Sequence, residues 1–255
     1  MKDEYRLEAG FYDKIWGRHD YDIDAGFLED LFQKHDCRSI LDVGCGTGNH
    51  VLRLWRMGYE VAGVDISPTM LRIARSKVKG AKIKFFRGEM KTLRAIIPKH
   101  MKFDAAISLG QVSSHLYSDH DVQVFLKSLL TILKEGGLFV FSARNAAKIN
   151  NEYLNRLLLD HVLDEGKMQI VVLAQNCRDL KDPNTIVWRP IYLMKKSGKV
   201  DLQMREHRLR WFEFSTLKRL LIGNGFKIKA VYSGPSREKF DEQTHSEMWF
   251  IATAS

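Results

Sequence analysis

The sequence predicts an α/β protein: a mostly parallel sheet with helices on both faces, plus an antiparallel β insert in its second half. Three observations carry this. From Ser39 to about residue 145, short apolar runs alternate with amphipathic stretches at helical spacing. Beyond that point, strand-like runs follow one another across short polar turns. The 255 residues are 45% hydrophobic and 28% charged, ordinary for a globular chain that can bury roughly three quarters of its surface.

In order, residues 3–35 read as helical in two pieces. Phe27, Leu28, Leu31 and Phe32 recur at helical spacing, and the run 17–20 interrupts the pattern. Strands are predicted at 40–43, 61–64, 83–86, 105–108 and 138–141, with helices at 49–57, 68–77 and 122–133. Ser67-Pro68 supplies an N-cap and a first-turn proline. Gly136-Gly137 is expected to stop the helix at 122–133. Strands that alternate with helices pair in parallel, because parallel neighbours need a crossover. Residues 169–177, 185–194 and 200–212 then read as three strands of a meander. A helix at 214–222, ended by Gly223-Asn224-Gly225, leads to last strands near 227–232 and 248–252.

Composition removes several classes. Cys37, Cys45 and Cys177 form no CxxC pair, which argues against a disulfide framework or a zinc ribbon. The opening MKDEYRLEAGF places acids where a signal peptide needs an apolar run. No stretch approaches the roughly 18 apolar residues of a membrane span. A soluble, cytoplasmic protein without a membrane partner is expected. Eleven basic residues against one acid, Glu89, lie between Arg72 and Lys102, so this one window carries more than the whole net charge of +9 and the rest of the chain is close to neutral. That window reads either as a solvated edge or as a face for nucleic acid, an anionic metabolite or an acidic partner.

The sharpest feature is Asp42-Val43-Gly44-Cys45-Gly46-Thr47-Gly48, where a strand turns into a helix. Glycines let a backbone approach a ligand closely, and the following helix aims its free N–H groups at the site. The spacing is GxGxG rather than the GxGxxG of dinucleotide binders. Asp42 would repel a pyrophosphate but attract an ammonium group, directly or through water. Asp65 ends the second predicted strand, where an acid can accept both ribose hydroxyls. Glu89, in Arg87-Gly88-Glu89-Met90 after the third, is placed to accept an adenine amino N–H. The implied ligand is a nucleoside joined to a zwitterionic amino acid without phosphates, which describes S-adenosyl-L-methionine.

Leu41-Asp42-Val43-Gly44-Cys45-Gly46-Thr47-Gly48, with Gly63-Val64-Asp65-Ile66-Ser67 and Gly88-Glu89-Met90, resembles the class I (Rossmann-like) S-adenosylmethionine-dependent methyltransferases. The resemblance covers roughly 28–146 and resumes with Arg208-Leu209-Arg210-Trp211-Phe212 and Gly225-Phe226. It implies a seven-stranded, mostly parallel sheet whose last strand is antiparallel, and release of S-adenosyl-L-homocysteine as product. The cofactor set it implies is Tyr12, Trp16, Arg18, Tyr21, Asp42, Gly44, Cys45, Gly46, Gly48, Asp65, Ile66, Met70, Gly88, Glu89, Met90, Ser108 and Leu109. Phe11-Tyr12-Asp13, Tyr21 and the Gly-Glu-Met step also look like the small-molecule N-methyltransferases, the amino-sugar dimethylating enzymes and glycine N-methyltransferase among them. The expected organisation is a helical lid over 1–37, a cofactor-binding core over 38–145, the insert over 146–210, and completion of the core sheet over 211–255.

The sulfonium already activates its methyl group, so the protein must chiefly align a nucleophile behind it and exclude water. Tyr12 and Tyr21 are candidates to face the sulfonium, Tyr12 with a catalytic role, and Arg18 to pair with the cofactor's carboxylate. Cys45 reads as a small loop side chain rather than a nucleophile. The acceptor side begins at Ser108-Leu109-Gly110-Gln111-Val112-Ser113-Ser114-His115, and His115 is the general-base candidate. No Asn-Pro-Pro-Tyr-like run occurs there, against methylation of an exocyclic base amine. Nor do acids stand beyond Ser108 or Arg144-Asn145, so no metal is expected. The insert reads as a cap or a homodimer contact, with Trp188, Arg189, His207 and Arg208 as candidates to face the acceptor. The leading reading is methyl transfer to nitrogen or oxygen of a small molecule by direct in-line displacement. Its rivals are an RNA (tRNA) methyltransferase using the 72–102 face and a non-catalytic S-adenosylmethionine-binding protein.

Overall fold

The structure, a computed structural model, describes residues 5–16, 19–149, 154–166 and 168–255. Along the chain run α1 (Tyr12–Ile15), α2 (Tyr21–Lys34), β1 (Ser39–Val43), α3 (Asn49–Arg56), β2 (Glu60–Asp65), α4 (Pro68–Lys77), β3 (Lys84–Arg87), α5 (Leu93–Ile96) and β4 (Phe103–Ser108). There follow α6 (Asp119–Leu130), β5 (Leu133–Arg144), β6 (Leu157–Asp164), β7 (Met168–Arg178), β8 (Thr185–Lys196), β9 (Lys199–Met204), β10 (His207–Arg210), α7 (Phe214–Gly223), β11 (Phe226–Tyr232) and β12 (Glu247–Ala254).

Seven strands form the main sheet in the order β11-β12-β5-β4-β1-β2-β3. The pairs β1–β2, β1–β4, β2–β3 and β4–β5 are parallel, while β12 runs antiparallel to both β5 and β11. The predicted α/β architecture, including the antiparallel last strand, is therefore present. Successive side chains of a strand point to opposite faces, and here both faces are covered. Ile40, Val61, Ile107 and Val140 pack with Phe27, Leu28 and Phe32 of α2, with Val51 and Leu54 of α3, and with Leu71 of α4. Leu41, Val64, Ala106 and Phe139 pack instead with Leu93 of α5, Phe125 and Leu129 of α6, and Leu217 and Leu221 of α7. Each such side chain contributes about 1.5–3 kcal/mol by leaving water.

Local chemistry sets the helix ends. Asp20 caps α2 by accepting from the amides of Asp22 and Ile23. Ser67 caps α4 through the Met70 amide, with Pro68 in the first turn, as the sequence predicts. α6 differs from expectation: Ser118 caps it and it ends at Leu130. Gly136-Gly137 terminates nothing helical. It lies within β5, where the register against β4 shifts, and Gly136 takes φ +69° there.

The insert is an antiparallel sheet of β10, β8, β7 and β6, with β9 also on β8. The run 200–212, expected as one strand, is two: β9 pairs with Ile191–Lys196 and β10 with Thr185–Trp188 of the same neighbour. β6 was not expected. Its Leu157, Leu159 and Val162 are exposed, so no buried-face alternation marks it in sequence. Phe11 and Ile15 pack against Ile170, Val172 and Tyr192 of the insert, so the N-terminal segment lies against the insert's inner face.

Candidate active site

The glycine loop lies where β1 gives way to α3, and Gly44, Gly46 and Gly48 all take positive φ, at +77°, +52° and +78°. A Cβ at Gly44 would sit 2.5 Å from both γ-carbons of Val112, and one at Gly48 would meet the Ala74 Cβ at 3.0 Å. At Gly46 an added Cβ meets nothing within 4 Å, so this turn faces open space. The Asp65 carboxylate braces the loop: it accepts from the Gly46 amide at 2.9 Å and the Ser67 amide at 2.8 Å.

A cavity of about 640 Å³ opens at the carboxyl ends of β1, β2, β3 and β4. Ligands in open parallel sheets bind at this edge, where neighbouring crossovers diverge. Gly44, Cys45 and Gly46 line it, then Asp65, Ile66 and Met70, then Gly88, Glu89 and Met90, then Leu109 and His115. Tyr12, Trp16 and Tyr21 close it from the N-terminal side. The α1 segment is tied to the loop by Asp13, whose carboxylate accepts from Thr47 Oγ1 at 2.6 Å and Asn49 Nδ2 at 3.0 Å and pairs with Lys77 at 2.7 Å. Burial alone would raise the Asp13 carboxyl, but these partners hold it below its ordinary range.

Three predicted residues stand behind the wall rather than on it. Asp42 is 2% exposed beneath the loop, its Oδ2 without a hydrogen-bond partner among the described residues, and burial with Asp65 nearby pushes it up to about 6. Gly48 caps α3, and Ser108 is buried at the end of β4. Arg18 lies outside the described residues. The insert candidates are corrected: Arg189 pairs with Glu206 and Arg208 with Asp179, away from the cavity. Trp188 and His207 form a second layer, Trp188 edge-on to Trp16 and His207 stacked on Tyr5. Sheet alternation sends half of each strand's side chains the other way.

On the acceptor side, Gly110 and Gln111 both adopt left-handed backbone, at φ +70° and +67°. For glutamine that is a strained conformation of the sort that collects at binding sites. The turn delivers His115, whose Nε2 lies 2.8 Å from the Tyr5 hydroxyl and whose Nδ1 lies 3.4 Å from that of Tyr117. Burial, with His207 close by, pulls the His115 imidazole down to about 4, so it is neutral near pH 7. Burial raises the Tyr12 phenol, with Tyr21 and Asp65 adding to the effect. Cys45 is likewise pushed up by burial, which suits the passive loop role expected of it.

Sequence reasoning missed Tyr5, His19, Asp24, His50, Arg144, Glu247 and Trp249 on the cavity wall. Arg144 and Glu247 sit at adjacent ends of β5 and β12, some hundred residues apart in sequence, and nothing local marks them. Asp24 joins His19 and His50, with imidazole Nε2 atoms 2.6 and 2.9 Å from its Oδ2. Burial would raise this carboxyl, but the two imidazoles hold it below its ordinary range.

Residues 40–137 match the family model of a methyltransferase domain. The chain is 34% identical over 110 residues to a glycine/sarcosine N-methyltransferase of Parasynechococcus marenigrum, a match spanning 42% of this chain and 38% of that protein. Its fold superposes on an S-adenosylmethionine-dependent methyltransferase from Clostridium acetobutylicum with TM-score 0.83 and 19% identity, over 98% of this chain and 99% of that one. An amino pentose methyltransferase from Micromonospora echinaspora, solved with S-adenosylmethionine bound, gives TM-score 0.73 and 18% identity over 98% and 96% of the two chains.

Proposed function

We propose that this chain, a class I S-adenosylmethionine-dependent methyltransferase, transfers a methyl group to nitrogen or oxygen of a small molecule held in the cavity beside His115. The observation that carries the reading is the wall itself: a glycine loop, then Asp65 and Glu89 at the ends of adjacent strands, with Tyr12 and Tyr21 facing them. The residues fit the cofactor. Gly46 leaves room for close backbone approach, and the buried Asp42 carboxylate beneath the loop favours a cationic amino group. Asp65 offers acceptors for ribose hydroxyls, and Glu89 one for the adenine amino group. Ile66, Met70 and Met90 supply apolar surface for the base.

When bound, S-adenosylmethionine supplies a methyl group already activated by positive sulfur. The chain's own residues position and shield. Alignment of the reacting groups is worth roughly 7–11 kcal/mol. The Asp13 contacts to Thr47, Asn49 and Lys77 hold α1 against the loop, which keeps water from the reacting centre. His115 is neutral and takes the proton that an amine or hydroxyl acceptor loses, with Tyr5 fixing its ring. A relative named as a glycine/sarcosine N-methyltransferase supports nitrogen as the acceptor atom. The basic run along α4 and β3 supports a structural role for the charge. β3 ends the sheet, and exposed Lys84 and Arg87 guard its open edge from pairing with other chains.

Apolar side chains on the insert, Leu157, Leu159 and Val162 on β6 with Val200, Leu202 and Met204 on β9, support a subunit contact there. The test of function is incubation of the chain with a metabolite extract and radiolabelled methyl donor, then mass spectrometry of the labelled product. A labelled small molecule of roughly drug size is expected, since clefts of this volume bury most of such a ligand's surface. Label appearing only in added tRNA, with salt-steep binding, overturns the reading.

A further inference from the structure

The cavity wall carries a cluster that methyl transfer does not use. Among the described residues, His19, Asp24 and His50 bring one ligand atom each within 4.8 Å of one another. The three come from different elements: His19 just before α2, Asp24 within it, and His50 in the first turn of α3. Both imidazoles present Nε2, and both aim at the same oxygen, Asp24 Oδ2, at 2.6 and 2.9 Å. The other oxygen, Oδ1, is buried and has no hydrogen-bond partner among the described residues. An ionised carboxylate has room for donors on both oxygens. Here two donors crowd one point and leave a second oxygen idle.

We propose that His19, Asp24 and His50 form a binding site for a divalent transition-metal ion on the cavity wall. Two imidazoles and a carboxylate are the donor set of Zn²⁺, Co²⁺ or Fe²⁺, whereas Mg²⁺ and Ca²⁺ prefer oxygen alone. One dication replaces the two donated protons as the group that Asp24 faces, and Oδ1 gains a use as a second contact or an outer hydrogen bond. The side chain of Asp24 is 2% exposed and that of His50 11%, while that of His19 is 51% exposed, so the site has a fixed floor and an accessible third ligand. Tyr21 packs edge-on against both imidazole rings, with centroids at 4.8 and 5.0 Å, and orients them. All three ligands line the cavity, so the remaining coordination positions open into it. That is the pattern of a metal site that takes a lone-pair group of a bound molecule, an amine or a hydroxyl, rather than of a closed structural site. The spacing, five residues and then twenty-six, belongs to no short metal motif, and the expectation of no metal rested only on the ends of β4 and β5.

Cobalt(II) is the probe, titrated into chelator-stripped, desalted protein without methyl donor, so the outcome is independent of the methyltransferase reading. One Co²⁺ per chain with visible ligand-field absorption, displaced by Zn²⁺ and not by Mg²⁺, is expected. His19→Ala, at a half-exposed position, should weaken binding at least tenfold, with circular dichroism in chelator confirming that the variant is folded. Asp24→Asn and His50→Gln should abolish binding, with circular dichroism confirming the fold of each variant. Absence of stoichiometric binding overturns the proposal. So does undiminished binding in His19→Ala, or a sulfur-to-metal charge-transfer band that places the ion on Cys45.

Discussion

Replacing Asp65 with alanine tests the carboxylate that both braces the glycine loop and faces the cavity. The change removes two hydrogen bonds from backbone amides, Gly46 at 2.9 Å and Ser67 at 2.8 Å. Bonds to a charged acceptor are worth about 1.5–3 kcal/mol each. Water entering from the adjoining cavity replaces part of that loss, so a destabilisation of about 2–3 kcal/mol is expected. For a chain of this size that lowers the thermal midpoint by about 4–12 °C. Losing the ribose acceptor costs a further 1–3 kcal/mol of cofactor binding, roughly a 5- to 150-fold rise in Kd. Titration calorimetry with S-adenosylhomocysteine and scanning calorimetry without it separate the two effects. Asp65→Asn keeps one acceptor but turns an amide donor toward the other N–H, and should fall between wild type and alanine in both measurements. If Asp65→Ala melts early yet binds S-adenosylhomocysteine within twofold of wild type, the carboxylate is only a loop brace and the ribose assignment is refuted.

Gly44→Ala should cost about 2–4 kcal/mol: about 1–2 for a side chain at φ +77°, the rest for overpacking against Val112. Adding Val112→Ala removes the two γ-carbon contacts but leaves the Cβ at 3.1 Å, so it should recover only part of the steric share, read as a partial return of the thermal midpoint. His115 gives a pH signature. Its folded value near 4 lies below the ordinary 6.5, so between those pH values the unfolded chain binds a proton that the native state refuses. Native stability should therefore fall as pH drops from 6.5 toward 4, by up to about 3 kcal/mol from this group, and urea melts of His115→Gln should show a flatter trend. For the same reason His115 should add no limb near pH 6.5 to the kcat/KM profile of the wild type beyond the protonation of the acceptor itself. A His115→Gln variant as active as wild type removes the base role. Leu159→Glu with Leu202→Glu, both at exposed positions, should convert a dimer to monomer in light scattering while leaving S-adenosylhomocysteine affinity unchanged. A wild type that is monomeric throughout ends the subunit-contact reading.

The alternation of apolar runs with amphipathic stretches was enough to read the parallel sheet, because the central strands β1, β2, β4 and β5 are buried on both faces and the helices on one. The place of the Asp42 to Gly48 loop, and of Asp65 and Glu89 on the cavity wall, was legible for a related reason: the backbone chemistry of a strand-to-helix turn is local, and the two acids come at the ends of β2 and β3. Ser67-Pro68 marked α4 by the same locality. Gly136-Gly137 misled because a glycine pair signals a break without saying whether a helix ends or a strand bulges. Exposed β6 carried no alternation to read, and Trp188, Arg189, His207 and Arg208 turned on which face of the insert looks inward. Tyr5 beside His115, Arg144 beside Glu247, and the meeting of His19 and Asp24 with His50 were decided only by the tertiary structure. Those contacts join segments far apart in sequence, and the distance between two side chains there is set by the packing of whole elements rather than by any local preference of the chain.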